Sequence, residues 1–82
     1  MSAADENKKV IVKILGEEHV IRSSSSREHM LEVGDYVNSM MEDLLDKYPR
    51  MSTQKIAVLT SLNLASELLT LQKKTKKRKG EP

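Results

Sequence analysis

The chain has 82 residues, with 14 Lys or Arg against 12 Asp or Glu, a formal net charge of +2, and no Cys, Phe or Trp. That length suits one domain, and the composition excludes a disulfide scaffold, thiolate metal sites and a core built on large aromatics. A domain of this size buries only about 60–65% of its unfolded surface, so a core of Leu, Ile, Val, Met and Ala makes oligomerisation the expected further source of stability. The absence of cysteine fits a reducing compartment.

The net charge is unevenly placed. Residues 73–79 (KKTKKRK) supply six of the basic residues; up to Gln72 there are eight basic against eleven acidic residues, a net of −3. The basic pI belongs to the tail, and the body is mildly acidic. No apolar run reaches signal-peptide length in MSAADENKKV, and no span of about 18 apolar residues occurs. The expectation is a soluble, cytoplasmic protein.

In chain order, residues 1–8 are polar and unpatterned, and disorder is expected there. From Lys9 to Leu15 the sequence alternates, with Val10, Val12 and Ile14 on one face and Lys9 and Lys13 on the other, which predicts a strand. Gly16 is read as opening a type II′ turn, because glycine tolerates the positive φ such a turn requires. The return run His19-Val20-Ile21-Arg22 completes a β-hairpin over 10–22. A lone hairpin is barely stable in water, so it must lie on a helix or extend a sheet across a subunit boundary.

Ser23 to Ser26 form a polar break. Ser25 as N-cap would form a capping box with Glu28, and Ser26 is the other candidate. A helix follows over 27–47, with Met30, Val33, Val37, Met40, Met41, Leu44 and Tyr48 as its apolar stripe. Glu32, Asp35, Glu42, Asp43 and Asp46 make an acidic back. Gly34 lies beside the stripe. It costs about 1 kcal/mol relative to Ala, and close approach of a neighbouring backbone is the expected reason for it. Pro49 ends the helix, since the preceding residue is pushed out of the α region.

A second helix is predicted over 53–72, capped by Ser52 or Thr53. Val58, Leu62, Ala65 and Leu69 recur at i, i+4, i+7, i+11 spacing, and Ala57, Leu64, Leu68 and Leu71 form a second stripe, with Leu59 and Ile56 widening the arc. Only Thr60, Asn63, Glu67 and Thr70 are left for water. A surface helix has one apolar stripe roughly 100° wide. This helix therefore needs its own chain on one side and a second copy of the protein on the other.

The residues argue against an enzyme. Nucleophilic catalysis needs a Ser, Thr or Cys beside an oriented base, and the histidines, His19 and His29, sit on a strand and a first helical turn with no convergent ligand set. The three glycines, Gly16, Gly34 and Gly80, are too far apart for a phosphate loop, and no cofactor is implied. The tail, with Lys73, Lys74, Lys76, Lys77, Arg78 and Lys79, fits an acidic surface or nucleic acid. The chain offers no aromatic platform and no basic helical stripe for specific nucleic-acid recognition. The competing reading is a small helical nucleic-acid-binding or generic assembly protein acting through that tail.

Several segments together resemble ZapA, the bacterial cell-division family that binds FtsZ. They are a strand ending at Gly16, the Gly-Glu-Glu-His-Val-Ile-Arg return, the Ser-x-Glu-His helix start at Ser26 to His29, and the run from Ala57 to Leu68 (AVLTSLNLASEL). The resemblance runs from about Lys9 to Lys73 and implies an α+β fold: an N-terminal β-hairpin, then two α-helices, the second a long self-associating, coiled-coil-like helix. It implies a non-enzymatic adaptor at the division site that dimerises, or pairs into tetramers, and bundles FtsZ protofilaments into the Z-ring. Leu59 matches a family position important for self-association, beside Val58, Leu62, Ala65 and Leu69. Glu17 and Gln54 match positions implicated in FtsZ contact, and Lys13, Glu18, Arg22 and Lys55 are grouped with them. Two features depart from the family pattern: Glu17 stands where some members are basic, and His19 where many are aromatic. FtsZ is acidic in general character, so the tail at 73–82 is expected to aid encounter electrostatically.

Overall fold

Two antiparallel strands open the described chain, and two helices follow them. The structure is a computed structural model that describes residues 8–80, with side chains described as far as Thr75. The strands are β1 (Lys8–Ile14) and β2 (Glu17–Ser23), and the helices are α1 (Arg27–Lys47) and α2 (Thr53–Gly80). The fold is therefore α+β, with the hairpin first and the long helix last. The chain divides into two units, Met1–Arg50 and Met51–Pro82.

In the first unit the alternation of β1 does what its period requires. Val10 and Val12 are buried while Ile11 and Lys13 are exposed, because successive side chains leave a strand on opposite faces. α1 lies over β1, and Met41 completes the core on the helix side. The strands pair from Lys8↔Ser23 to Ile14↔Glu17. Lys8 is thus part of β1, where disorder was expected through residue 8. Residues 1–7 lie outside the described residues.

That register leaves Leu15 and Gly16 as a two-residue loop, and both have positive φ, +50° and +81°. Positive φ at both central residues is the pattern of a type I′ turn, whose twist matches that of the strands. The type II′ turn read at Gly16-Glu17 is therefore corrected: glycine takes the second central position and leucine the first. Leucine rarely adopts the left-handed region, at a cost of roughly 1–2 kcal/mol. The Leu15 N–H donates to Oδ1 of Asn38 on α1 at 2.7 Å, a tertiary bond that holds the turn in place.

Gly34 is buried, and an added Cβ would stand 2.8 Å from Cγ1 of Val12 and 2.9 Å from its Cβ. Close approach is the reason for the glycine, as expected, but the neighbour is a valine side chain rather than backbone. Around α1 the apolar arc is displaced from the expected stripe. Asn38 and Leu45 are partly buried, whereas Val33 and Tyr48 are exposed.

The caps are serines. Ser26 Oγ accepts from the His29 N–H at 3.1 Å, and with Ser26 as N-cap the third helical residue is His29, so no capping box forms with Glu28. Ser25 instead donates its N–H to Ser23 Oγ. α1 closes at Tyr48, whose N–H still reaches Leu44 O while its φ of −127° leaves the helix ahead of Pro49. In the second unit Ser52 caps α2, accepting from the Lys55 N–H at 3.1 Å.

α2 does not stop at Gln72. Its backbone is helical to Gly80, because Lys, Arg and Gln are good helix formers and cations near a C-terminus oppose the helix dipole favourably. The side chains of Lys76, Lys77, Arg78 and Lys79, named for the tail, lie outside the described residues, as do residues 81 and 82.

Candidate functional site

The second unit leaves a run of apolar side chains on α2 in solvent. Val58 is 53% exposed, Leu62 61% and Leu69 53%, and Ala65 is exposed between them. At about 100° per residue these four positions fall within one sector of the helix. Leu68 and Leu71 are also exposed, whereas Ala57 and Leu64 of the second stripe are half-buried. Leu59 is half-buried and lies about a quarter-turn from Val58, so it flanks this sector.

One position on α2 departs from its reading. Thr60, expected to face water, is 2% exposed, and Ile56 is fully buried. The threonine hydroxyl donates to the Ile56 carbonyl at 2.9 Å. That bond, one turn back along the helix, satisfies the only polar group of the side chain and allows it to be buried. Ser61 makes the same bond to Ala57 O in an exposed setting.

Of the six positions named for partner contact, four lie on the two faces of the hairpin and two on α2. Lys13, Glu18 and Arg22 lie on the hairpin face turned away from α1, as the pairs Lys13↔Glu18 and Lys9↔Arg22 require. Glu17 pairs with Ile14 and belongs to the opposite face. There Glu17 Oε1 lies 3.9 Å from His19 Nε2, both side chains being exposed, a setting in which an ion pair contributes little. Gln54 and Lys55 are exposed in the first turn of the second unit. Lys73 and Lys74 are exposed further along α2.

Two contributions were missed on the hairpin. Ile11 and Val20 are directly paired on the face turned away from α1 and are 52% and 61% exposed. The signal was present, since Ile11 interrupts the otherwise charged face of β1. Asn38 was also missed, although a lone amide inside an apolar arc is a sign of a specific buried bond. Among the described residues, no group of three or more His, Cys, Asp or Glu is placed to hold a metal ion, and no helix is long and apolar enough to cross a membrane.

Comparison with known proteins gives one answer. Residues 10–82 match the family model described as "Cell division protein ZapA". The chain is 37% identical over 73 residues to a cell division protein ZapA of Shouchella clausii, covering 89% of this chain and 94% of that one. It is 35% identical over 69 residues to its counterpart in Bacillus subtilis, covering 84% and 81% of the two chains. Among solved structures it is similar to a ZapA mutant dimer from Geobacillus stearothermophilus, with a TM-score of 0.77 and 29% identity, over 92% of this chain and 87% of that one.

Proposed function

The chain belongs to the ZapA family of cell division proteins, and from that membership we propose that it is a non-enzymatic adaptor that binds FtsZ and bundles its protofilaments as a self-associated oligomer. The observation that carries this reading is the exposed sector Val58, Leu62, Ala65 and Leu69 on α2. Covering those side chains with a second copy removes apolar surface from water, at about 25 cal/mol per Å² buried, and produces a molecule with at least two heads. A solved relative is described as a dimer, which supports the same arrangement here. Pairing of dimers into tetramers would multiply the heads again.

Two heads give the adaptor its mechanism. One weak head on one filament aligns nothing. Once the first head is bound, the second contact becomes effectively intramolecular, so avidity rises without any new kind of contact. FtsZ contact is assigned to the exposed polar positions Lys13, Glu17, Glu18, Arg22, Gln54 and Lys55, with the basic tail from Lys73 increasing the rate of encounter with an acidic partner. Such a protein acts in the cytoplasm at the division site.

The test is sedimentation of purified FtsZ with GTP, with and without this protein, alongside its own mass by light scattering. An oligomer that increases pelleted, bundled FtsZ is expected. An oligomer that leaves FtsZ unaffected would remove the function and keep the fold. Full bundling by a monomeric variant would overturn the bivalent mechanism.

A further inference from the structure

The face of the hairpin turned away from α1 has the anatomy of a small interface. A two-stranded sheet with one face on a helix is expected to be polar on its other face. Here the central cross-strand pair is Ile11↔Val20, flanked along the strands by Lys9↔Arg22 and Lys13↔Glu18. Both apolar side chains remain more than half exposed despite facing each other, and all four charged neighbours are exposed. An apolar centre with a charged rim is how protein-binding patches are built. The rim carries three cations and one carboxylate. The acidic residues of α1 are on a different element, so within its head the protein sets a cationic patch apart from an acidic helix.

We propose that this face, with Ile11 and Val20 at its centre and Lys9, Lys13 and Arg22 at its rim, docks a short acidic segment of the partner protein that presents an apolar side chain to the central pair. The identity of that partner as FtsZ rests on the reading in the preceding section. Charge selects the occupant: a net positive rim attracts carboxylates and repels a basic segment. Size selects its form. Strands of seven residues give a face about 20 Å long and about 10 Å wide, on the order of 200 Å², against roughly 800 Å² per partner in a standard stable interface. Such a face suits a short segment rather than a domain, and a single copy holds it weakly. Weak single-site docking is what a bivalent adaptor needs if filaments are to be gathered reversibly.

The experiment measures binding of the full-length oligomer to immobilised FtsZ at low and moderate salt, with light-scattering mass and thermal midpoint recorded for every variant. The paired substitution Ile11→Thr with Val20→Thr retains β-branched side chains and is expected to weaken FtsZ binding at least tenfold at unchanged mass. The triple substitution Lys9→Gln, Lys13→Gln and Arg22→Gln is expected to weaken binding and flatten its salt dependence. Glu42→Gln with Asp43→Asn, on the acidic helix, is expected to leave binding unchanged. Wild-type binding that neither hairpin variant alters overturns the docking face and leaves the FtsZ reading standing. Absence of wild-type binding overturns both. Two outcomes assign the face elsewhere and also overturn the proposal: a changed mass in the hairpin variants, which makes it a contact between copies, or binding to phosphatidylserine vesicles lost in parallel with unchanged FtsZ binding, which makes it a lipid surface.

Discussion

The two units of this protein solve the problem of apolar surface in opposite ways. In the hairpin–α1 unit, Val10, Val12 and Met41 are buried within one chain, and Gly34 gives up its side chain so that Val12 fits. In the α2 unit, Val58, Leu62 and Leu69 remain more than half exposed. The first unit buries the apolar face of β1 under α1 and leaves the Ile11–Val20 pair exposed on the other face of the hairpin. The second leaves a stripe of α2 exposed along its length. A substitution in the buried core of the head should therefore act on stability, whereas one on the stripe should act on assembly.

The largest effect is expected on the stripe. Leu62→Glu or Leu69→Glu places a charge where a partner helix would desolvate it, a cost of several kcal/mol per buried ion. The mass by light scattering should fall to that of a single chain, and FtsZ bundling should be lost. If the mass is unchanged, the two units do not differ as described.

Gly34→Ala comes next, and it acts on the head alone. The added methyl meets Val12 at under 3 Å, and overpacking of this kind costs about 1–3 kcal/mol. Denaturant melting of a Val12→Ala background should show a smaller cost, since the Cγ1 contact is gone while the Cβ at position 12 still stands 2.9 Å from the added methyl. Equal effects in both backgrounds would remove the contact as the cause.

Asn38→Ala leaves the Leu15 amide without its acceptor and should cost about 1–2 kcal/mol, with faster hydrogen exchange at that amide. Asn38→Asp keeps an acceptor and should cost less. Ser52→Ala sharpens the comparison from the other side. It should weaken the start of α2 by about 1 kcal/mol, read as faster exchange at Lys55 with the head amides unaffected.

The smallest effect is a gain. Leu15→Asn replaces a residue strained at φ +50° by one that tolerates the left-handed region, and Asn-Gly is a favoured type I′ pair. Thermal melting should show the head stabilised by about 0.5–1 kcal/mol.

Legibility from sequence differed by the range of the interaction. The hairpin, α1 and the start of α2 were readable because period-two alternation, three-and-four spacing, serine caps and Pro49 are local signals. The turn type was misread because both Gly16-Glu17 and Leu15-Gly16 offer glycine a positive φ. Only strand register distinguishes them, and register is set by pairing along the whole hairpin. Which hairpin face each position takes is likewise decided by pairing, which puts Glu17 on the face opposite Glu18. Thr60 was left to solvent because polarity was used for exposure, although a hydroxyl bonded one turn back can be buried.

The sequence by itself determined the order of elements, the membership of the family, and the wide apolar arc of the second helix. These follow from periodicity and residue type, which act over a few neighbouring positions. Only the tertiary structure decided that Val12 is what Gly34 makes room for and that Asn38 holds the Leu15 turn. It also decided that Ile11 and Val20 meet in solvent between cations. Those facts depend on which distant residues are brought together, and that is settled by packing and strand register.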